Sequence, residues 1–236
     1  MGPPVRPACL ILVRHGHTVA NDLDGARVSG WTDFPLSPLG RRQAEALRRR
    51  LLLAPPDVIY TSPLQRASAT AEALAGLAPT PPQPLDDLRE IHCGDADGRS
   101  LLEAQERFPE IWAASQRQED ESLRWPGGES YREFRDRCLD AVRRIAKAHP
   151  GERVLIVTHA GVICQVMGAI HGRSPASWDR FRPGNCSLTE IEWRGTTGIV
   201  HGFDDRSHLD ELDDTELEEA GGAGWPWQGV AFAVFP

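Results

Sequence analysis

No apolar run in this sequence approaches the about 20 residues that a membrane-spanning helix needs. The first apolar stretch, near the N-terminus, is about six residues long, too short for the core of a signal peptide. Arg6 stands where a myristoylation signal would carry Ser or Thr. The five cysteines (Cys9, Cys93, Cys138, Cys164 and Cys186) are scattered, odd in number and free of any C-x-x-C pair. That spacing gives neither a zinc knuckle nor a disulfide framework, and it points to reduced thiols in a cytoplasmic protein. Lysine is nearly missing: Lys147 is the only one. Basic excess is missing altogether, since 26 Lys and Arg face 34 Asp and Glu, which argues against a nucleic-acid-binding surface.

The 236 residues suffice for one large domain with a full core, and the 40% hydrophobic and 25% charged composition is ordinary for a globular protein. The net charge of −8 is concentrated in one place. Residues 203–220 carry nine carboxylates and one arginine, so the rest of the chain is balanced. We therefore divide the chain into a body, residues 1–202, and a C-terminal part, residues 203–236. The latter is expected to be an acidic linker followed by an apolar tail that docks on the body or binds a partner. Monomer and homodimer are both left open.

Strand-like and helix-like segments alternate through the body. Ala8 to Val13, Asp57 to Tyr60 and Arg153 to Val157 read as short buried strands. Ser37-Pro38 reads as a helix cap with proline in the first turn, opening a helix to about Leu53. Thr61-Ser62-Pro63 opens another from Leu64 to Ala75. Residues 78–84 are proline-rich and are expected to be irregular. Short helices are expected near Ser100–Arg107 and Pro109–Arg117, a long amphipathic one over Glu129–His149, and an apolar one from Ala160 to His171. Ser187–Trp193 and Gly198–Phe203 are two further strands close enough to pair. This alternation predicts an α/β fold: a three-layer sandwich whose central sheet is mostly parallel, with helices on both faces.

Three of the strands end on chemistry. The first delivers Arg14 and His15 into a glycine-containing loop. The second delivers Ser62, with Arg66 one turn into the next helix. Arg153–Val157 delivers His159. Parallel strands place their carboxyl ends along one edge of the sheet, where ligands collect in α/β proteins. Two arginines and two histidines could thus meet there. Arginine binds phosphate oxygens through a permanently charged fork. Helix N-termini add backbone donors. A neutral imidazole can attack phosphorus, and a carboxylic acid must protonate the leaving alcohol. Glu90 is the best candidate acid in the loop-rich middle of the chain.

These residues lie in ordered blocks: RHGHTVAN (residues 14–21), SGWTDFPLSPLGRRQA (29–44), TSPLQRASATAE (61–72), LREIHCGDADG (88–98), the Gly128–Phe134 helix start and VTHAG (157–161). Together they resemble the histidine phosphatase superfamily, in its phosphoglycerate-mutase-like branch, over roughly residues 8–200. The resemblance implies a metal-independent phosphatase that uses no cofactor and works through a phosphohistidine. His15 would be the nucleophile and Glu90 the proton donor. Arg14, Arg66 and His159 would hold the transferring phosphoryl group, with Asn21 beside them. The substrate-binding set it implies adds Ser29, Gly30, Ala160 and Gly161. The expected partner is a small phosphorylated molecule, with neither nucleic acid nor membrane. Sugar phosphate, α-ribazole phosphate, phosphoglycerate and phosphoprotein substrates all stay open. A phosphoglycerate mutase and a catalytically weak phospho-ligand-binding protein of the same fold are the alternatives. The mutases' lysine-containing insertion has no counterpart here, which favours hydrolysis.

Two departures from the family pattern concern substrate contacts. His17 stands where glutamate is common, and Gly-Asp-Ala-Asp-Gly (94–98) replaces the commoner Gly-x-Trp-Glu-Gly. His15 and His17 could also be read as an H-x-H metal pair, but no carboxylate-rich set completes such a site. His92, His149, His171, His201 and His208 are read as structural.

Overall fold

A computed structural model describes residues 6–21, 27–210 and 212. Among the described residues, six strands and six α-helices follow in the order β1 (Ala8–Arg14), α1 (Pro38–Leu51), β2 (Val58–Thr61), α2 (Gln65–Ala73), β3 (Gln83–Pro84), α3 (Leu101–Arg107), α4 (Pro109–Arg117), α5 (Tyr131–Ala148), β4 (Arg153–Thr158), α6 (Ala160–Ile170), β5 (Leu188–Arg194) and β6 (Thr197–Asp205). They form one sheet in the order β3-β2-β4-β1-β5-β6. The first four strands in that order are parallel, and β5 and β6 add an antiparallel edge.

The period-2 alternation of β1 and β4 separates two cores. Leu10, Leu12, Val154 and Ile156 face Leu139, Val142 and Ile145 of α5 and Ile163, Val166 and Met167 of α6. Ile11, Val13, Leu155 and Val157 face Ala44, Leu47 and Leu51 of α1 and Ala67 and Ala71 of α2. The result is the three-layer α/β sandwich expected from the sequence. A smaller cluster gathers Val28, Cys93, Ala96 and Ala104 with Ile91, Leu101, Phe108, Trp112 and Trp125.

Local chemistry sets the helix starts. Ser37 Oγ accepts from Gly40 N–H, with Pro38 in the first turn of α1. Ser100 and Ser130 each form a capping box, with Glu103 and Glu133. Three expectations need correction. Helix α1 stops at Leu51 rather than Leu53, and Leu52 and Leu53 are exposed. The proline-rich stretch ends in a short strand, β3, because Pro84 lies at the sheet edge, where its missing N–H costs no ladder bond. The body also runs past residue 202: β6 continues to Asp205, and after the turn Ser207–Leu209 the Leu209 side chain joins the core beneath α1. The first acidic residues after 202 thus belong to a strand. The apolar stretch 225–236 lies outside the described residues.

Register fixes where the site forms. Arg14 pairs with Thr158, and Thr61 pairs with Val157. Ser62, His159 and His15 therefore leave the sheet at nearly the same level, with β4 between the other two strands.

Candidate active site

The sheet edge brings the two histidines together. Their ring centroids are 5.2 Å apart. His15 Nδ1 lies 2.8 Å from the Gly16 carbonyl. A carbonyl only accepts, so Nδ1 carries the proton and Nε2 keeps its lone pair. Burial pushes the His15 imidazolium well below its usual range, and the charges of Arg66 and Arg14 push it further. The ring is thus neutral at physiological pH. His159 is the opposite tautomer. Arg66 Nε donates to its Nδ1 at 3.2 Å, so its Nε2–H donates to Ser62 Oγ at 2.8 Å. It too is buried, and it is held neutral by burial and then by Arg66.

Arg66 is almost fully buried, 1% exposed, and it is held by backbone. Its guanidinium donates to the carbonyls of Gly30 (2.7 Å), Thr32 (3.0 Å) and Ser29 (3.2 Å). Arg14 donates through Nη1 to the Pro183 carbonyl at 2.9 Å, while its buried Nε has no hydrogen-bond partner. A buried cationic donor left open suits an anionic ligand. Burial, then the charge of Arg182, pushes Arg14 down to about 10, still cationic at neutral pH.

Glu90 follows the turn Asp86–Leu88. Its carboxylate accepts from Gly161 N–H at 3.0 Å and from Ile91 N–H at 2.9 Å. A Cβ at Gly161 would come within 2.1 Å of Glu90 Oε1, so a larger residue there displaces the carboxylate. Ala160, at the start of α6, brings no side-chain chemistry. The Glu90 carbonyl accepts from Trp31 Nε1 and from Arg137 Nη2. Arg137 also binds the Asp87 and Arg89 carbonyls and pairs with Glu129. The amphipathic pattern of α5 marked its apolar stripe, and Arg137 escaped notice there.

Three residues of the implied substrate-binding set, Ser29, Gly30 and Asn21, make bonds within the protein. Ser29 and Gly30 present carbonyls to Arg66 and so position it. Asn21 closes its own loop, its Oδ1 accepting from Thr18 N–H (3.0 Å) and Thr18 Oγ1 (2.8 Å). His17 is buried and turns its Nδ1 to Ser37 Oγ, the α1 cap, at 2.8 Å, so the H-x-H pair does not converge. Among the described residues, no three His, Cys, Asp or Glu side chains are grouped to hold a metal ion.

Sequence reasoning missed the supporting shell. Asp97 accepts from the N–H groups of Gly30 and Trp31, both at 2.8 Å, fixing the loop whose carbonyls hold Arg66. Its signal was the altered Gly-Asp-Ala-Asp-Gly block. Asn185 Nδ2 donates to the His15 carbonyl at 3.0 Å, and Cys186 N–H donates to the Arg14 carbonyl at 3.0 Å from a left-handed conformation, φ 54°. Thr70 Oγ1 bridges Gly16 N–H and the Arg66 carbonyl.

The sequence profile of the histidine phosphatase superfamily (branch 1) matches residues 10–206. The chain belongs to this superfamily. A metal-independent phosphoserine phosphatase from Arabidopsis thaliana is 34% identical over 205 residues, covering 86% of this chain and 84% of the relative. Phosphoglycerate mutase-like protein 4 of the same plant is 36% identical over 213 residues, covering 86% and 87%. Among solved structures, YhfR of Bacillus stearothermophilus superposes with a TM-score of 0.76 at 34% identity, covering 86% of this chain and all of that one. This histidine phosphatase thus carries the fold of its superfamily and a phosphatase's kinship, with mutase-named proteins also among its relatives. No helix of the described residues is long and apolar enough to cross a membrane.

Proposed function

We propose that this chain hydrolyses phosphate monoesters through a phosphohistidine on His15. Arg14, Arg66 and His159 hold the phosphoryl oxygens and offset the charge that builds up there in the transition state. His15 Nε2 attacks phosphorus, and the N–P bond forms as the bond to the leaving oxygen breaks. Protonated Glu90 transfers its proton to that oxygen, releasing the alcohol. Glu90 then takes a proton from water, whose oxygen attacks phosphorus. The N–P bond breaks, inorganic phosphate leaves and neutral His15 is restored. Neither a metal nor an organic cofactor has a part in these steps.

The tautomer of His15 carries this reading. With its proton fixed on the Gly16 carbonyl, the ring presents a neutral, unprotonated Nε2 beside two arginines. The five free thiols suit action in the cytoplasm, and the phosphatase and mutase names of the relatives suit a small phosphorylated substrate. Release of p-nitrophenol from p-nitrophenyl phosphate in EDTA tests it. We expect turnover by the native chain and none above background for His15→Ala. Turnover that survives His15→Ala would overturn the phosphohistidine. Dependence on a bisphosphoglycerate, with phosphate returned to the product, would show a mutase instead.

A further inference from the structure

Residues 89–92, around Glu90, form neither helix nor strand. Their backbone groups must therefore find partners elsewhere. Arg137 and Glu129 supply them. Arg137, on α5, donates through Nη1 to the Asp87 and Arg89 carbonyls, both at 2.9 Å, and through Nη2 to the Glu90 carbonyl at 3.2 Å. Its other two donors go to Glu129: Nη2 to Oε1 at 2.5 Å and Nε to Oε2 at 3.2 Å. Glu129 Oε1 also accepts from His92 N–H at 2.8 Å, and Glu129 N–H donates to the His92 carbonyl at 3.0 Å. The Leu88 carbonyl accepts from Thr158 Oγ1 at 2.7 Å. Four consecutive carbonyls, 87 to 90, are thus tied to side chains of α5 and β4.

A guanidinium has five N–H donors, and all five of Arg137 are engaged by these groups. None is left for a phosphate oxygen. The pair is mostly buried, with side chains 18% and 17% exposed, and the Arg137 guanidinium lies 5.1 Å from the centre of the buried Phe134 ring. A cation so placed acts through geometry. A general acid works only within hydrogen-bond reach of the oxygen it protonates. The Glu90 carboxylate is itself held by two backbone N–H groups, of Gly161 and of Ile91. Ile91 belongs to the braced stretch. Loosening the brace therefore moves both the Glu90 backbone and one of the donors that aim its carboxylate.

We propose that Arg137 and Glu129 are positioning residues for proton donation: their ion pair fixes the backbone of residues 87–92 so that the Glu90 carboxyl meets the leaving oxygen. This rests on the phosphatase reading above and deepens it. Neither residue touches the substrate.

Phenyl phosphate and p-nitrophenyl phosphate have the same shape at the scissile bond. Phenolate is the poorer leaving group, since a phenol holds its proton to a pKa of about 10, and its departure depends more on the proton that Glu90 gives. The ratio of kcat/KM for the phenyl ester to that for the nitrophenyl ester is insensitive to the fraction of folded enzyme. We expect Arg137→Gln, and the milder Glu129→Gln, each to lower this ratio by about tenfold or more. Arg135→Gln is the control. Arg135 lies on the same helix and holds Gln165 and the Arg173 and Ser174 carbonyls, none of them in the braced stretch, so its loss leaves the ratio at the native value. An unchanged ratio in either Arg137→Gln or Glu129→Gln, with both esters turned over, overturns the proposal and leaves the phosphatase reading standing. An equal fall in Arg135→Gln overturns it too, because any loosening of α5 would then do the same. Native turnover of the nitrophenyl ester alone would mean that no acid assists departure, and the proposal falls. Native turnover of neither ester overturns the phosphatase reading and the positioning role with it.

Discussion

Each side chain of the proposed mechanism is set by a neighbour that removes its alternatives. His15 has one tautomer because Gly16 offers only a carbonyl. Glu90 has one place because Gly161 offers an N–H and no side chain. Gly161→Ala would put a methyl group 2.1 Å from Glu90 Oε1, so the carboxylate must move. A shift of about 1 Å in a catalytic group can cost on the order of a hundredfold. We expect kcat/KM to fall by about that much for an alkyl phosphate, whose leaving oxygen needs a proton. The fall should be much smaller for p-nitrophenyl phosphate, because nitrophenolate leaves unprotonated. Equal losses on both esters would mean that Glu90 is not the proton donor. Arg14, His15, Arg66, Glu90 and His159 were legible because each sits in a motif of side chains. Pro183 and Thr32 were not, because they act through carbonyls, which every residue possesses.

At the scale of elements, the loop that carries His15 is clamped by α1. A Cβ on Gly40, in the first turn of α1, would lie 2.0 Å from the His17 carbonyl, and one on Gly16 would lie 2.7 Å from the Gly40 carbonyl. Backbone faces backbone there, and neither side can rotate away. Gly40→Ala should therefore destabilise the fold by about 1–3 kcal/mol, as overpacking does, and lower kcat by displacing His15. Urea unfolding together with p-nitrophenyl phosphate turnover would check both effects. Native stability in this variant would show that helix and loop separate freely. The Ser37 cap made α1 legible, since capping is a local exchange of hydrogen bonds, and the apolar stripe made α5 legible. The end of α1 was less legible: Leu52 and Leu53 continue the apolar spacing, yet they find no core. β3 was hidden because pairing with β2 is a distant contact that overrides the local preference of proline-rich sequence.

The whole molecule keeps two imidazoles neutral inside one buried cluster, and this ties its stability to pH. The sequence showed that strand ends could converge. The order β3-β2-β4-β1-β5-β6, which sets His159 between Ser62 and His15, depends on pairings between remote segments and was not readable from any one of them. Folding places His15 (7% exposed) and His159 (0% exposed) where burial and then Arg66 oppose protonation, so both folded values lie well below 6.5. In the unfolded chain both return to about 6.5. Below that pH, down to the lowered folded values, the unfolded state binds more protons than the folded state. Stability is thus complete above about 6.5 and falls as the pH drops through this window. The slope approaches about 1.4 kcal/mol per pH unit for each histidine at most. Urea unfolding between pH 7.5 and 5.5 should show this loss, and His15→Asn, which removes one titrating ring, should flatten the slope by about one proton. A slope identical in the native chain and His15→Asn would mean that His15 is protonated equally in both states, and the neutral nucleophile would then lose its physical basis.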